Sequence, residues 1–303
     1  MLWLFVAVGA YFLLAVVSLL DKYLLSGALS NPKVYAFYVG ILGSFAFLLV
    51  PFGFFVVPDT IFTLAAAVFA GACQICGIYF YFESLKRFEP SRVIPAVGGL
   101  QPLFSFALIW FFGGGHEALD LRQVFAFFLM VLGSVAIVFE KKTLNSKSLK
   151  LAAMAAFLFA LALVLSKFVY LAVSFIPGFI LISVGSVATA LLFLASKEVR
   201  QEAFQAGNFS QKRGTTAVFL ANQAGGAASF LLQAFAVSLA PLAFVSVINA
   251  VAGIQYAFVF IFSVILSLYF PSFLREKVTK AVVLQKTAAI LLIAAGLAIF
   301  AIN

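Results

Sequence analysis

Apolar runs of about 20 residues follow one another along the whole chain, and they leave few folds open. Ten can be marked, at 2–25, 34–57, 60–84, 91–112, 121–140, 149–173, 177–196, 214–238, 241–269 and 279–301. A helix needs about 20 apolar residues to cross the hydrocarbon core of a bilayer. Inside lipid every backbone N–H and C=O must be paired within the chain, so such runs are expected to be helices and not strands. The connections are short and rich in breakers: Asn31-Pro32, Pro58-Asp59, Gly113-Gly114-Gly115 and Pro271. The longest, 197–213, is polar and mixed in charge. Of the 303 residues 65% are hydrophobic and 10% charged, against about 25% charged in a soluble domain. The solvent for this surface is lipid. The first run lacks the basic leader of a signal peptide and is long for one, so it is read as a retained helix. A re-entrant segment in place of one helix is the alternative architecture.

Charge separates the connections into two sets. A net charge of +9 does not point to nucleic acid, because the Lys and Arg fall mostly in short connections between apolar runs, where they meet anionic headgroups. With the connection between the first two helices taken as the first, the odd-numbered ones and adjoining helix ends hold most of them. Lys33, Lys86, Arg87, Arg92, Lys141, Lys142, Lys147, Lys150, Lys197, Arg200, Lys212, Arg213, Arg275, Lys277 and Lys280 all fall there, whereas the even ones hold Arg122 and little else. The positive-inside rule then puts the odd connections in the cytoplasm and both termini outside. Cys73 and Cys76 lie within an apolar run with no second ligand pair, so packing is the role read for them.

The chain repeats itself. Phe12–Tyr23 (FLLAVVSLLDKY) and Phe157–Phe168 (FLFALALVLSKF) share five of twelve positions, Lys22 aligning with Lys167. Gly99–Phe106 (GLQPLFSF) and Gly253–Phe260 (GIQYAFVF) share four of eight. Pro90 and Pro241 open the fourth and ninth runs. The fifth and tenth each follow a Glu (Glu117, Glu276) and contain a late Gly (Gly133, Gly296). Two halves, 1–145 and 146–303, are therefore expected, integrated into one transmembrane domain. Five helices is an odd number, so the second half enters the membrane from the opposite side. The fold expected is an all-α membrane protein with ten transmembrane helices as two inverted five-helix repeats, an architecture of many secondary transporters.

The stretch SLKRFEPSRVIPAVGGLQPLFSFALIWFFGGGHEALDLRQVFAFFLMVLGSVAIV, Ser84 to Val138, resembles the repeat signature of the EamA-type transporters of the drug/metabolite transporter superfamily. In that pattern the third helix ends in a small-Leu pair, a Pro lies in the fourth, and a Gly-Glu step precedes a fifth helix containing a Gly. Pro102, Glu117 and Gly133 match, while His116 replaces the usual Gly before the Glu. Pro241 to Asn303 matches more loosely, with Arg275-Glu276. The resemblance implies a carrier of small metabolites in a bacterial-type plasma membrane, its cavity lined by helices 1, 3, 4, 6, 8 and 9. It also implies cytoplasmic termini, opposite to the orientation read from charge.

An ionisable group at the bilayer centre costs roughly 2.5–3.5 kcal/mol even on permissive scales, so intramembrane polar residues come first as candidates. Lys22 and Lys167 hold equivalent repeat positions and would face one cavity from opposite leaflets, suiting an anionic or zwitterionic substrate. The alternative is that both snorkel to headgroups. Tyr11, Ala15, Ser18 and Lys22 fall on one helical face. Asp21 points about 100° away from Lys22; it reads as a helix-end charge, with proton coupling as the alternative. Polar stripes mark further helices: Asn222, Gly226, Ser229 and Gln233; Ser246, Asn249, Gly253 and Tyr256; Pro95, Gly98, Pro102 and Ser105; and Gln74, Tyr81 and Glu83. They read either as cavity lining or as interhelical hydrogen bonds worth ~0.6–2 kcal/mol. Gln101 and Gln255 lie off the stripes and read as structural amides. Pro95, Gly98 and Pro102 read as a hinge, or as close helix packing.

No Walker loop, nucleophile elbow or metal-ligand set is visible, so no cofactor and no ATP-driven pumping are expected. The function expected is a secondary transporter moving a small polar metabolite, such as an amino acid, by alternating access, with proton coupling one possible energy source. Its partners are that substrate and the lipid bilayer; the residues favour no particular oligomer. A flippase for a lipid-linked sugar is the first alternative. An intramembrane enzyme ranks below both, because it would need clustered Asp, His or Ser groups.

Overall fold

The computed structural model describes residues 1–25, 31–88, 90–113, 119–138, 146–204, 213–269 and 280–301, with no strand among them. The side chains of Lys22 and Pro95, together with His116, Glu117 and Glu276, lie outside the described residues. Twelve α-helices follow in order: α1 (Leu2–Leu25), α2 (Pro32–Leu42), α3 (Ile61–Arg87), α4 (Pro90–Phe112), α5 (Leu121–Val138), α6 (Ser146–Ala172), α7 (Phe175–Phe193), α8 (Lys197–Phe204), α9 (Arg213–Leu239), α10 (Val245–Val251), α11 (Gly253–Tyr269) and α12 (Lys280–Ala301).

Among the described residues, five stretches are long and apolar enough to cross a membrane: Pro32–Phe52, Ile61–Arg87, Leu149–Ala172, Phe175–Phe193 and Leu242–Phe262. Four shorter apolar ones accompany them: Leu2–Ser18, Ala96–Phe112, Leu121–Ala136 and Leu284–Phe300. Their outer surface carries large apolar side chains such as Ile61, Leu121, Leu192, Phe5 and Phe111. No water-soluble surface holds so broad an apolar patch; this is the surface of an integral membrane protein.

Local chemistry accounts for the starts and stops. Asn31 accepts a hydrogen bond from the Lys33 N–H, and Pro32 takes the first helical position of α2. Thr60 caps α3 by accepting from the Thr63 N–H. Both replace intrahelical partners that a first turn lacks. The second apolar run changes to a 3-10 helix over Gly43–Phe52 and stops at Gly53, whose φ of 80° is the left-handed conformation that glycine adopts without strain.

Three departures from the expected spans matter. The connection 197–213 contains α8, a short polar helix anchored by the fully buried Val199 against Val34, Phe37 and Ala190. The second run is α-helical only to Leu42. The ninth run is not one helix: a 3-10 turn, Leu242–Phe244, leads into α10, and the chain breaks at Ala252 before α11.

Packing intertwines the halves. The most extensive contacts are α3 with α6, α5 with α12, α1 with α9, α4 with α6, and α3 with α7; α2 also packs on α7, and α10 on α4. At the α5–α12 crossing, a Cβ on Gly133 would lie 2.7 Å from Ile293 Cγ1 and 2.8 Å from the Ala289 carbonyl oxygen. A Cβ on Gly296 would lie 2.7 Å from both the Ala126 carbonyl oxygen and Met130 Cγ. Each glycine therefore meets the residues seven and three places before the other, which is the reciprocity of a two-fold contact. The α3–α7 crossing is reciprocal as well: Gly71 lies on the backbone of Ile182, Gly185 and Ser186, and Gly185 on that of Val68.

Candidate functional site

A set of hydrogen-bonded polar side chains converges where α1 and α4 of the first half meet α9, α10 and α11 of the second. Along α9, the stripe read from periodicity faces α1. Ser229 Oγ donates to the Ala10 carbonyl at 2.8 Å and Gln233 Nε2 to the Tyr11 hydroxyl at 2.9 Å, while Gly226 faces Val17. Asn222, on the same stripe, is buried. Tyr11 passes the chain on, its hydroxyl donating to the Ile248 carbonyl at 3.0 Å.

That last bond follows from the helix break. In a continuous α-helix the Ile248 carbonyl would accept from the N–H of residue 252. Here the Ala252 N–H turns to the Asn249 carbonyl, at 3.2 Å, so Ile248 needs another donor, and Tyr11 supplies it. Ser134 of α5, whose hydroxyl donates to its own Met130 carbonyl at 2.7 Å, lies 3.5 Å from the neighbouring Ala250 carbonyl. An unpaired carbonyl buried in an apolar interior costs several kcal/mol, and the Tyr11 hydroxyl removes that cost at Ile248.

Asn249, on α10, is the second junction. Its amide nitrogen donates to Ser105 Oγ at 2.6 Å and its carbonyl accepts from Gln101 Nε2 at 3.0 Å, while Ser105 Oγ donates to the Gln101 carbonyl at 2.9 Å. On α11, Gln255 Nε2 donates to Ser18 Oγ at 3.0 Å, and Ser18 returns a bond to the Leu14 carbonyl at 2.8 Å. Tyr256 closes over Gly98: a Cβ there would lie 2.9 Å from its hydroxyl. Gly98, Gln101 and Ser105 thus form the face of α4 turned to the second half. Gly98 gives close approach, and α4 continues helically through Pro95, Gly98 and Pro102, with Pro102 buried. The interruption observed is in the ninth run.

Lys167 sits apart from this seam, toward the end of α6. It is 3% exposed, and its ammonium donates to the Ser238 carbonyl at 3.1 Å in the last turn of α9. A cation at a helix C-terminus is favourably placed against the dipole. None of the ion pairs among the described residues includes it. Lys167 is therefore a buried cation held by one carbonyl, with two further ammonium donors to offer.

Of the residues singled out in the sequence, the structure brings together Tyr11, Ser18, Gln233, Asn249, Tyr256 and Gly98, with Asn222 on the same α9 face. Lys167 approaches from α6. Gln74 and Tyr81 lie on α3, Tyr81 packing with Phe159 of α6 and the cluster around Val93, Val97 and Ala155. Gln101 and Gln255 do act as interhelical amides, but within the seam itself. Their shared place in GLQPLFSF and GIQYAFVF was the signal that could have put them there.

No protein-family model matches the chain, and no curated protein matches it. Among solved structures 17 chains match. One, a crystal structure described only as that of a protein, is similar with a TM-score of 0.67 at 16% identity, covering 98% of this chain and 96% of its own. At that identity the likeness shows the fold alone.

Proposed function

We propose that this chain is a secondary transporter of ten spans in two inverted five-helix repeats, moving a small polar solute between its halves by alternating access. The observation that carries the reading is the buried seam, in which Tyr11–Gln233, Asn249–Gln101, Asn249–Ser105 and Gln255–Ser18 all join one half to the other around an interrupted helix. Interrupted helices with buried polar groups at a repeat interface suit solute binding at mid-membrane. Hydrogen bonds between protein groups there exchange for bonds to a solute at little net cost, because each group stays paired in either state. The reciprocal α5–α12 crossing and the order of helix contacts support the inverted repeat, and the EamA-like stretch Ser84 to Val138 agrees with both.

Lys167 favours a solute with a carboxylate or another anionic group. The experiment is thermal stabilisation of the purified protein by amino acids, organic acids, sugars and nucleosides, with Lys167→Gln and Asn249→Ala beside the wild type. One class is expected to raise the melting temperature, and Lys167→Gln to weaken its apparent affinity at least about tenfold, as loss of a charge-assisted hydrogen bond does. If no soluble class shifts the wild type, the solute reading fails and the flippase alternative gains. A flippase needs a lateral opening; at the α1–α11 flank Phe12, Phe258 and Phe262 pack together at 5.1–6.1 Å.

A further inference from the structure

Away from the seam, at the end of the molecule where α2 and α8 begin and α3 finishes, lies a cleft of about 370 Å³. Asn31, Lys33, Tyr79, Glu83, Lys86, Arg87 and Glu198 contribute to its walls. Three cations thus meet two carboxylates, and both carboxylates are engaged: Glu83 pairs with Arg87, and Glu198 with Lys33 at 3.1 Å. Lys86 belongs to neither of the ion pairs among the described residues. The N-terminus of α2 opens into the same space and adds its positive dipole end. Glu198, the carboxylate supplied by α8, already occupies the place an external anion would take at Lys33.

The surroundings set the depth. Immediately behind the charged rim, Tyr35 packs on Phe82 at 4.1 Å and Tyr79 on Phe193 at 5.7 Å, the amphipathic aromatics of a membrane interface. Beyond them α7 exposes Leu191 and Leu192, a surface for acyl chains. Basic pockets between helix ends at this level hold lipid headgroups. We propose that this cleft binds the phosphate of an anionic phospholipid, with Lys86 and Lys33 as its donors and Glu198 as the internal anion that the phosphate displaces. The volume accommodates a phosphate and its glycerol, with the chains running down α7.

The test is thermal-shift titration of the intact protein in mild detergent with phosphatidylglycerol or phosphatidylcholine, and in parallel with glycerol phosphate and inorganic phosphate. Phosphatidylglycerol is expected to stabilise the wild type and phosphatidylcholine not. Lys86→Gln should weaken the phosphatidylglycerol response about fivefold, the worth of one interfacial cation. Glu198→Gln should strengthen it by a similar factor, a sign that a merely structural ion pair would not give. The exposed Lys150→Gln, near the start of α6, should leave it unchanged. Equal responses to the two lipids, or a phosphatidylglycerol response untouched by Lys86→Gln and Glu198→Gln, would overturn the site. A full response to glycerol phosphate or inorganic phosphate alone would overturn the lipid as its ligand.

Discussion

Tyr11 serves two neighbours with one hydroxyl, accepting from Gln233 and donating to the carbonyl freed by the helix break at Ala252. Tyr11→Phe keeps the ring and strands both partners in a buried place. We expect it to destabilise the protein by about 1–3 kcal/mol, read as a lowered melting temperature, with Ser18→Ala, at a half-buried position, costing less. Glu198 makes a prediction in pH. Its bond and charge contact with Lys33 hold its carboxyl below the ordinary 4.5, so the folded state gains from the ionised form. That gain is complete above the ordinary value and disappears as pH falls through the lowered one. Wild type should therefore exceed Glu198→Gln in melting temperature at pH 7 and low salt, without lipid. The gap should be small because the pair is exposed, close as the pH drops below 4.5, and shrink with added salt. At this scale the sequence was half legible. Periodicity found the face of α9 that meets α1, because it reports the direction of each Cβ. It missed the reach of Gln101 and Gln255, whose long side chains enter the seam from the edge of the face.

For the helices, the apolar runs predicted existence well and interruption poorly. The break before Gly253 leaves no trace in hydropathy; Tyr11, remote in sequence, supplies a donor to the Ile248 carbonyl that the break strands. The helix α8 escaped notice because its eight residues are mostly polar and, of its described side chains, only that of Val199 is wholly buried. Glycines offer the sharpest test of how elements meet. Gly71→Ala forces a methyl onto the α7 backbone, and Gly296→Ala onto the Ala126 carbonyl; each should cost about 1–3 kcal/mol through overpacking. Gly9 has nothing within 4 Å of its Cβ position, so Gly9→Ala should be neutral or stabilising by up to about 1 kcal/mol. Melting temperatures of the three variants, measured side by side, check the crossings. Equal effects would mean that α3–α7 and α5–α12 do not pack as described.

Across the whole molecule, the cleft joining Lys33, Lys86, Arg87 and Glu198 gathers residues from three of the odd connections at one end. That end carries the charge bias, so it should face the cytoplasm. With Cys73 and Cys76 replaced by Ala, a single cysteine at Lys150 should resist an impermeant thiol reagent in intact cells and one at Arg122 should react. The reverse pattern would favour the orientation implied by the EamA resemblance. Two related halves were suggested by the sequence, because Lys22/Lys167, Gly133/Gly296 and the Gly-x-Gln pair recur in the same order. Their interlocking was not, since α3 packing on α6 and α1 on α9 is a choice of neighbour that no repeat specifies. The central claim, that the seam between the halves passes a solute, is tested most directly by counterflow in proteoliposomes. Vesicles loaded with unlabelled amino acid, organic acid, sugar or nucleoside would receive the labelled compound outside. One class should accumulate transiently above protein-free vesicles and fail to do so with Asn249→Ala. Uptake no greater than in protein-free vesicles for every class, with protein in those vesicles melting at its normal temperature, would contradict it.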